Sequence, residues 1–253
     1  MPRSLLHFLV LFIFGLGSAM AQGTDPEAIN LAGQQRMLSQ RLVKSWVQIG
    51  LNVQPTISKR QLDESIRGFE QNLRVLEPMI NSAEGRNALG GLHLAWAPLR
   101  TSVTGVIRQA DAALVDARAE DVLMAAERLT RVLQDQATAP ASRWVNLAGR
   151  QRMLSQRLVK IYMLRQWGVD NARLREELES VQNEFSGALT SMQQHAGNSA
   201  AVTEELDKLA LQWEWLRTAL ATEGAESFRL ILAEGGDAVL ELAHEVTRLY
   251  QQP

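Results

Sequence analysis

Two arginines, Arg36 and Arg152, occupy the same place in two nearly identical stretches of the chain and are the residues best suited to bind a ligand. Residues 29–44 read INLAGQQRMLSQRLVK and residues 145–160 read VNLAGRQRMLSQRLVK, without an Asp or Glu in either stretch. Burial of a guanidinium without a counter-charge costs several kcal/mol. If the two stretches pack about a two-fold axis, the arginines approach each other and repel. A small oxyanion held between them by paired hydrogen bonds would relieve that repulsion.

Two simpler interpretations of these arginines stay open at this point. Arg36, Arg41 and Lys44 could form a basic helix face that is exposed to solvent and binds nothing. Alternatively, the role of Arg36 and Arg152 could be structural, in which case each should pair with an acidic side chain elsewhere in the chain.

The other residues that could carry chemistry point to neither a metal nor an enzyme. His93, His195 and His244 have no neighbours at metal-ligand spacing, and the chain has no Cys. No nucleophile motif or phosphate-binding loop is recognisable, and the Gly90–Gly91 and Gly235–Gly236 pairs are interpreted as turns. We therefore expect no catalytic activity, no cofactor and no metal.

The repeated stretch itself is predicted to be a helix with two packed faces. On a helical wheel one face is a hydrophobic core stripe, and a second face carries small side chains that let another helix approach closely. The core stripe consists of Leu31, Leu38 and Leu42. The small face consists of Ala32, Ser39 and Val43. We expect the second face to pack against a partner helix, which could be the other copy.

Weaker similarities between the two halves extend the repeat to almost the whole chain and predict its fold. Leu62, Phe69 and Leu73 recur as Leu178, Phe185 and Leu189, Trp96 and Arg100 as Trp213 and Arg217, and Thr130-Arg131 as Thr247-Arg248. The chain is therefore an internal duplication joined near residues 137–141. We predict an all-α protein of two tandem antiparallel four-helix-bundle-like repeats, at residues 22–138 and 142–253, with the two tryptophans in the bundle cores. Its predicted helical segments are 26–52, 59–83, 87–113, 119–137, 143–167, 171–196, 200–222 and 225–251, the third being kinked or broken at Gly90–Gly91 and Pro98.

The N-terminus and the composition predict an exported protein without a polyanionic partner. Residues 1–21 combine one basic residue, an apolar stretch and small residues before Gln22, as in a cleaved signal peptide. The full chain of 253 residues has 26 basic and 28 acidic residues and a net charge of −2, so binding to nucleic acid is not expected. No later stretch is apolar for long enough to span a bilayer, and we therefore expect a periplasmic protein.

The pattern N-L-A-G-x-Q-R-M-L-S-Q-R in both copies resembles the motif of the PilJ-type domain, the N-terminal domain of type IV pili methyl-accepting chemotaxis transducers. It is also similar to the P-box in the periplasmic sensor domain of NarX-like nitrate/nitrite sensor kinases. This resemblance implies that the arginine before the motif methionine binds nitrate or nitrite across a dimer axis. By this resemblance, Arg36 and Arg152 would bind the anion, and the backbone of Gly33 and Gly149 would contribute beside them.

The remaining polar residues of the motif, Asn30, Asn146, Arg41 and Arg157, are secondary candidates for the anion site. Members of the family usually lie between transmembrane helices and drive a cytoplasmic output domain, neither of which we find here. We therefore expect a sensor that signals through a separate membrane-bound protein, with a homodimer possible. The alternative is a helical scaffold or adaptor that mediates dimerisation or docking to a membrane receptor and binds no small ligand.

Overall fold

The structure is a computed structural model that describes residues 25–221 and 226–252, and within these ranges it consists of α-helices, two short 3-10 helices (Glu77–Met79 and Gln109–Asp111) and turns, without strands. The predicted signal peptide lies outside the described residues. The helices are α1 (Asp25–Gly50), α2 (Pro55–Leu76), α3 (Ala83–Val103), α4 (Ala112–Gln136), α5 (Ala141–Gln166), α6 (Ala172–Gln193), α7 (Ala200–Ala221) and α8 (Glu226–Gln251). The predicted all-α fold with tandem repeats is confirmed, with four helices in each repeat.

Local signals in the sequence explain where several helices begin and end. The Ser82 side chain accepts a hydrogen bond from the Gly85 amide at 3.0 Å and caps α3, and Asn171 caps α6 in the same way through the Leu174 amide. At the end of α5, Gly168 has a φ of 89°, a left-handed conformation that glycine adopts without a steric penalty.

The prediction that the two glycine pairs form turns is wrong. Gly90–Gly91 lies within α3, and Gly235–Gly236 lies within α8, both of which continue without a break. In α8 the glycines permit close packing: a Cβ at Gly236 would lie 2.3 Å from a methyl group of Val159, and one at Gly235 would lie 2.6 Å from the Trp215 ring. The glycine pair therefore serves helix packing rather than chain reversal.

The two motif helices, α1 and α5, form the centre of the molecule. They pack on each other more extensively than any other pair of helices. Helix α1 also packs on α2 and α4, α5 packs on α6 and α8, and α3 and α7 cover α4 and α8. The predicted partner of the motif helix is therefore its own copy, within one chain.

Equivalent aromatic pairs fill the two bundle cores. Phe69 stacks on Trp96 with ring centroids 4.0 Å apart, and Phe185 stacks on Trp213 at 3.9 Å. Both tryptophans are buried, as predicted. The recurrence of these contacts in both halves indicates that the two copies have kept the same internal packing.

In the described parts of the chain, 25–221 and 226–252, no helix combines the length and the apolar character that crossing a membrane requires.

Candidate functional site

Arg36 of α1 and Arg152 of α5 meet in the interface between the two repeats. Their side chains are 0% and 1% exposed, and they are among the largest fully buried side chains of the described residues. A Cβ at Gly149 would lie 3.1 Å from Nη2 of Arg152 and 3.9 Å from Nη2 of Arg36. The two guanidinium groups therefore reach the same small region, as expected from the packing of the two motif helices.

The motif asparagines bind these arginines in a reciprocal arrangement between the repeats. Arg36 donates from Nη2 to Oδ1 of Asn146 at 2.7 Å, and Arg152 donates from Nη2 to Oδ1 of Asn30 at 2.6 Å. Each arginine thus crosses to the asparagine of the other copy. The secondary candidates Asn30 and Asn146 are part of the same cluster as the arginines, and they orient the two guanidinium groups.

The motif glycines allow the guanidinium groups to lie close to the backbone of the motif helices. A Cβ at Gly33 would lie 3.1 Å from Nη2 of Arg36, the same distance that separates a Cβ at Gly149 from Nη2 of Arg152. An alanine at either position would press on a charged nitrogen atom. The predicted site residues Gly33 and Gly149 therefore lie in the cluster, and the absence of their side chains lets the two guanidinium groups come this close to the helix backbone.

The two arginines differ in their counter-charges. Arg36 donates from Nη1 to Oε2 of Glu127 on α4 at 2.7 Å, and the other oxygen of this carboxylate accepts from Arg150 at 2.7 Å. Nη1 of Arg152 lies 3.3 Å from Nδ1 of His244 on α8. No ion pair joins Arg152 to a carboxylate within the described ranges. Sequence reasoning missed Glu127 and dismissed His244, because neither belongs to the repeated stretch.

The pKa values of these groups reflect that difference. Burial lowers the pKa of Arg36, although attraction to Glu127 opposes the effect. Burial and repulsion from Arg36 lower the pKa of Arg152 to about 9, with no carboxylate to offset them. Burial also disfavours the charged form of Glu127, but attraction to Arg36 and Arg150 outweighs it and lowers the pKa of that carboxyl. Arg152 is therefore an uncompensated buried charge.

Both arginines retain further capacity to donate hydrogen bonds. The Nε atoms of Arg36 and Arg152 are buried and have no hydrogen-bond partner. A buried donor without an acceptor costs about 1–3 kcal/mol. An oxyanion placed against these groups would accept hydrogen bonds that the protein leaves unmade.

A groove of about 650 Å³ between α4 and α5 reaches this cluster at Glu127. Its lining includes Arg150 and Met153 of α5, together with Arg128 and Arg131 of α4, whose side chains are exposed. Four arginines and two glutamates line the groove, so its lining has a net positive charge on the outer side of the Glu127 carboxylate.

The motif lysines lie farther along the same interface and are buried, not solvated. Lys44 lies 2.5 Å from Oδ1 of Asp237 on α8, and Lys160 lies 2.6 Å from Asp116 and 2.7 Å from Glu120 on α4. Each lysine therefore pairs with carboxylates of the opposite repeat. The interpretation of Arg36 and Lys44 as part of a solvated basic face is wrong, because helix packing on several sides encloses both residues.

The structure does not bring Arg41 or Arg157 to the arginine pair. Arg41 lies 3.7 Å from Glu64 on α2, and Arg157 donates to Glu120 at 2.7 Å. Both side chains lie at the edge of the helix, about 20% exposed. The structure therefore corrects the prediction that these secondary candidates belong to the anion site. Their position on the helix directs them to carboxylates of neighbouring helices instead.

Comparison with protein families gives a match that covers most of the chain. The family described as "PilJ: Type IV pili methyl-accepting chemotaxis transducer N-term" matches at residues 20–129 and again at residues 134–234. Comparisons with curated proteins and with solved structures gave no match. The further likeness to NarX-like nitrate sensors is not part of the family match and stays a prediction. The two matched segments agree with the internal duplication, and the chain therefore belongs to the PilJ family of chemotaxis-transducer sensor domains, which act in signalling.

Proposed function

We propose that this protein is a periplasmic sensor module that binds one small oxyanion, nitrate or nitrite, between Arg36 and Arg152. The observation that carries the proposal is that Arg152 is buried without a carboxylate partner, beside a second buried arginine. A buried guanidinium without a counter-charge lowers the stability of the folded protein, and a bound anion would raise that stability again. Family membership supports a role in signalling with a membrane-bound partner.

The chemistry of the cluster favours a small, flat anion. Arginine donates from a planar fork that matches an oxyanion with two oxygen atoms in one plane, and each charge-assisted hydrogen bond contributes roughly 1.5–3 kcal/mol. The guanidinium nitrogens lie so close to the backbone at Gly33 and Gly149 that even one added Cβ would be 3.1 Å away, so the surroundings favour an anion that is small as well as flat. Nitrate and nitrite are small, flat oxyanions.

The proposed organisation places both halves of the site in one chain. A signal peptide at residues 1–21 would be removed on export, leaving the repeats at 22–138 and 142–253. Because both motif helices contact each other within the chain, one monomer should bind one anion and a homodimer is not needed for binding. Protein recovered from the periplasm should begin at Gln22, and an intact Met1 would contradict the export step.

The test is calorimetric titration of the purified protein with nitrate, nitrite, sulfate and chloride, together with its mass in solution by analytical ultracentrifugation. We expect one nitrate per monomer, with an affinity that for so small an ion does not exceed the micromolar range, about −8 kcal/mol. Arg152→Ala should abolish binding, and Arg41→Ala, outside the cluster, should not. Full binding by the Arg36→Ala, Arg152→Ala double variant would remove these arginines from the mechanism.

The second candidate is a helical scaffold or adaptor without a small ligand. The ion pair between Arg36 and Glu127 favours it, because this arginine already has an acidic partner within the chain. In that case none of the four anions should bind at millimolar concentration, and substitutions at the arginines should affect only stability and docking to the membrane partner.

A further inference from the structure

Glu127 and His244 occupy equivalent positions in the two repeats. Both lie three residues before the Thr-Arg pair that recurs as Thr130-Arg131 and Thr247-Arg248. Each contacts Nη1 of the motif arginine of its own repeat, Glu127 at 2.7 Å from Arg36 and His244 at 3.3 Å from Arg152. The place where the first repeat has a carboxylate is thus occupied in the second by a group without negative charge.

This difference fixes the charge of the cluster. Arg36 and Glu127 neutralise each other, the two asparagines are neutral, and Arg152 remains as one unpaired positive charge. Arg150, the second arginine that binds Glu127, also donates to the carboxylate of Glu184 on α6. The charges of Arg150 and Glu184 therefore cancel and do not change the net charge of the buried cluster. The buried cluster therefore lacks one negative charge.

The surroundings of His244 supply no substitute for that charge. On its own helix Glu245 binds Arg248, with Nε of Arg248 donating at 2.8 Å, and Glu241 is exposed to solvent. Across from α8, Arg152 of α5 is the charged group that the His244 ring contacts. Because His244 is itself exposed, an anion that arrives from solvent on this side meets the histidine first.

We infer that an anion bound at Arg152 supplies the negative charge that the Glu127 carboxylate supplies at Arg36, and that Glu127 thereby restricts the site to singly charged anions. This inference rests on the proposed function and makes it more specific. A single negative charge neutralises the cluster, whereas a dianion such as sulfate would leave one uncompensated negative charge in the interface. Arg152 is the principal binding residue, and Glu127 determines selectivity.

The experiment supplies the missing carboxylate and removes the existing one. In calorimetric titrations with sodium nitrate and sodium sulfate, the unaltered protein should bind nitrate at least about tenfold more tightly than sulfate. His244→Glu should weaken nitrate binding by about tenfold to a hundredfold, because the new carboxylate competes for Arg152. The matched control His244→Gln, which adds no charge, should weaken nitrate binding clearly less than His244→Glu does, because it brings no carboxylate to Arg152.

Removal of the existing carboxylate should change the preference between the two anions. Glu127→Gln should improve sulfate affinity relative to nitrate by about tenfold or more, because the cluster then lacks two negative charges. Glu184→Gln is the matched control: it removes a carboxylate from Arg150 but leaves the Arg36 pair in place, and the ratio should stay as it is in the unaltered protein.

The outcomes separate this inference from the proposed function. If the unaltered protein binds none of the anions, both fail. If it binds nitrate but sulfate equally well, or if His244→Glu binds nitrate with unchanged affinity, the charge argument is overturned and the anion site stands. Circular dichroism verifies that each variant is folded, and His244→Asp replaces His244→Glu if the latter is not.

Discussion

Equivalent substitutions at the two motif arginines should have opposite effects on the stability of the ligand-free protein. Arg152→Met removes a buried charge that lacks a carboxylate, whereas Arg36→Met removes the buried partner of Glu127 and leaves that carboxylate with Arg150 alone. Methionine is chosen because it has a similar length and no charge. The expectation is a more stable Arg152→Met variant and a less stable Arg36→Met variant.

The size of each effect follows from the contacts. The lowering of the Arg152 pKa from 12.5 to about 9 is equivalent to roughly 5 kcal/mol against the charged form. Loss of the hydrogen bond to Asn30 leaves its Oδ1 without that donor and costs about 1–3 kcal/mol. The difference leaves a net gain of at least about 2 kcal/mol for Arg152→Met. Arg36→Met should lose about 3 kcal/mol, since it breaks a buried ion pair.

The assay is urea unfolding followed by circular dichroism, at neutral pH in a buffer free of nitrate and nitrite. A gain of about 2 kcal/mol corresponds to a rise in melting temperature of roughly 4–8 °C for a protein of this size. The reasoning is refuted if Arg152→Met is destabilised as much as Arg36→Met, because Arg152 would then be compensated in the folded protein by a charge that we have not assigned.

Three other substitutions test the glycine contact, the exposed histidine and a buried lysine. Gly149→Ala brings a Cβ to 3.1 Å from the neighbouring guanidinium and should weaken nitrate binding by about tenfold in calorimetry, whereas Gly91→Ala, whose Cβ meets nothing within 4 Å, should leave affinity unchanged. Partial burial and the adjacent Arg152 guanidinium lower the pKa of His244 below its usual value of 6.5. The stability that the neutral imidazole contributes is therefore complete above pH 6.5 and is lost as the pH falls through the lowered pKa. Unfolding measured from about pH 7 to 5 should therefore show a steeper loss than for His244→Gln, and parallel profiles would contradict the assignment. Asp237→Asn leaves Lys44 buried without its carboxylate and should cost about 3–5 kcal/mol in urea unfolding; a loss under about 1 kcal/mol would show that the pair behaves as a surface ion pair.

The sequence was sufficient to predict the helices and the duplication because both depend on local patterns. Apolar periodicity marked the segments of the second repeat to within about three residues of their observed ends, but in the first repeat α3 ends at Val103 instead of the predicted 113, and α2 and α4 differ from the prediction by up to about seven residues. The repeated stretch identified α1 and α5 as equivalent. The small residues on one face of that stretch correctly indicated a second packed face. The tryptophans at equivalent positions pointed to the two cores, where each stacks on a phenylalanine.

The counter-charges could not be predicted, because they come from helices on which the two copies have diverged. Glu127 and His244 share a position but no chemical character, and Asp237 reaches Lys44 only because α8 folds beside the other repeat. Periodicity defines which face of a helix is buried and does not define which distant residue lies opposite. The Gly235–Gly236 pair was misread for the same reason, since only the packing of α8 on Val159 shows why it lacks side chains.

The short connection between α4, which ends at Gln136, and α5, which begins at Ala141, affects how the protein responds to dilution. A site assembled from two separate subunits comes apart when the protein is scarce. Here the second half is tethered to the first, so its effective local concentration is in the millimolar range or above whatever the amount of protein. The fraction of arginine clusters that hold ligand would then depend on the ligand concentration alone. It would be the same whether the cell contains few or many copies of the protein.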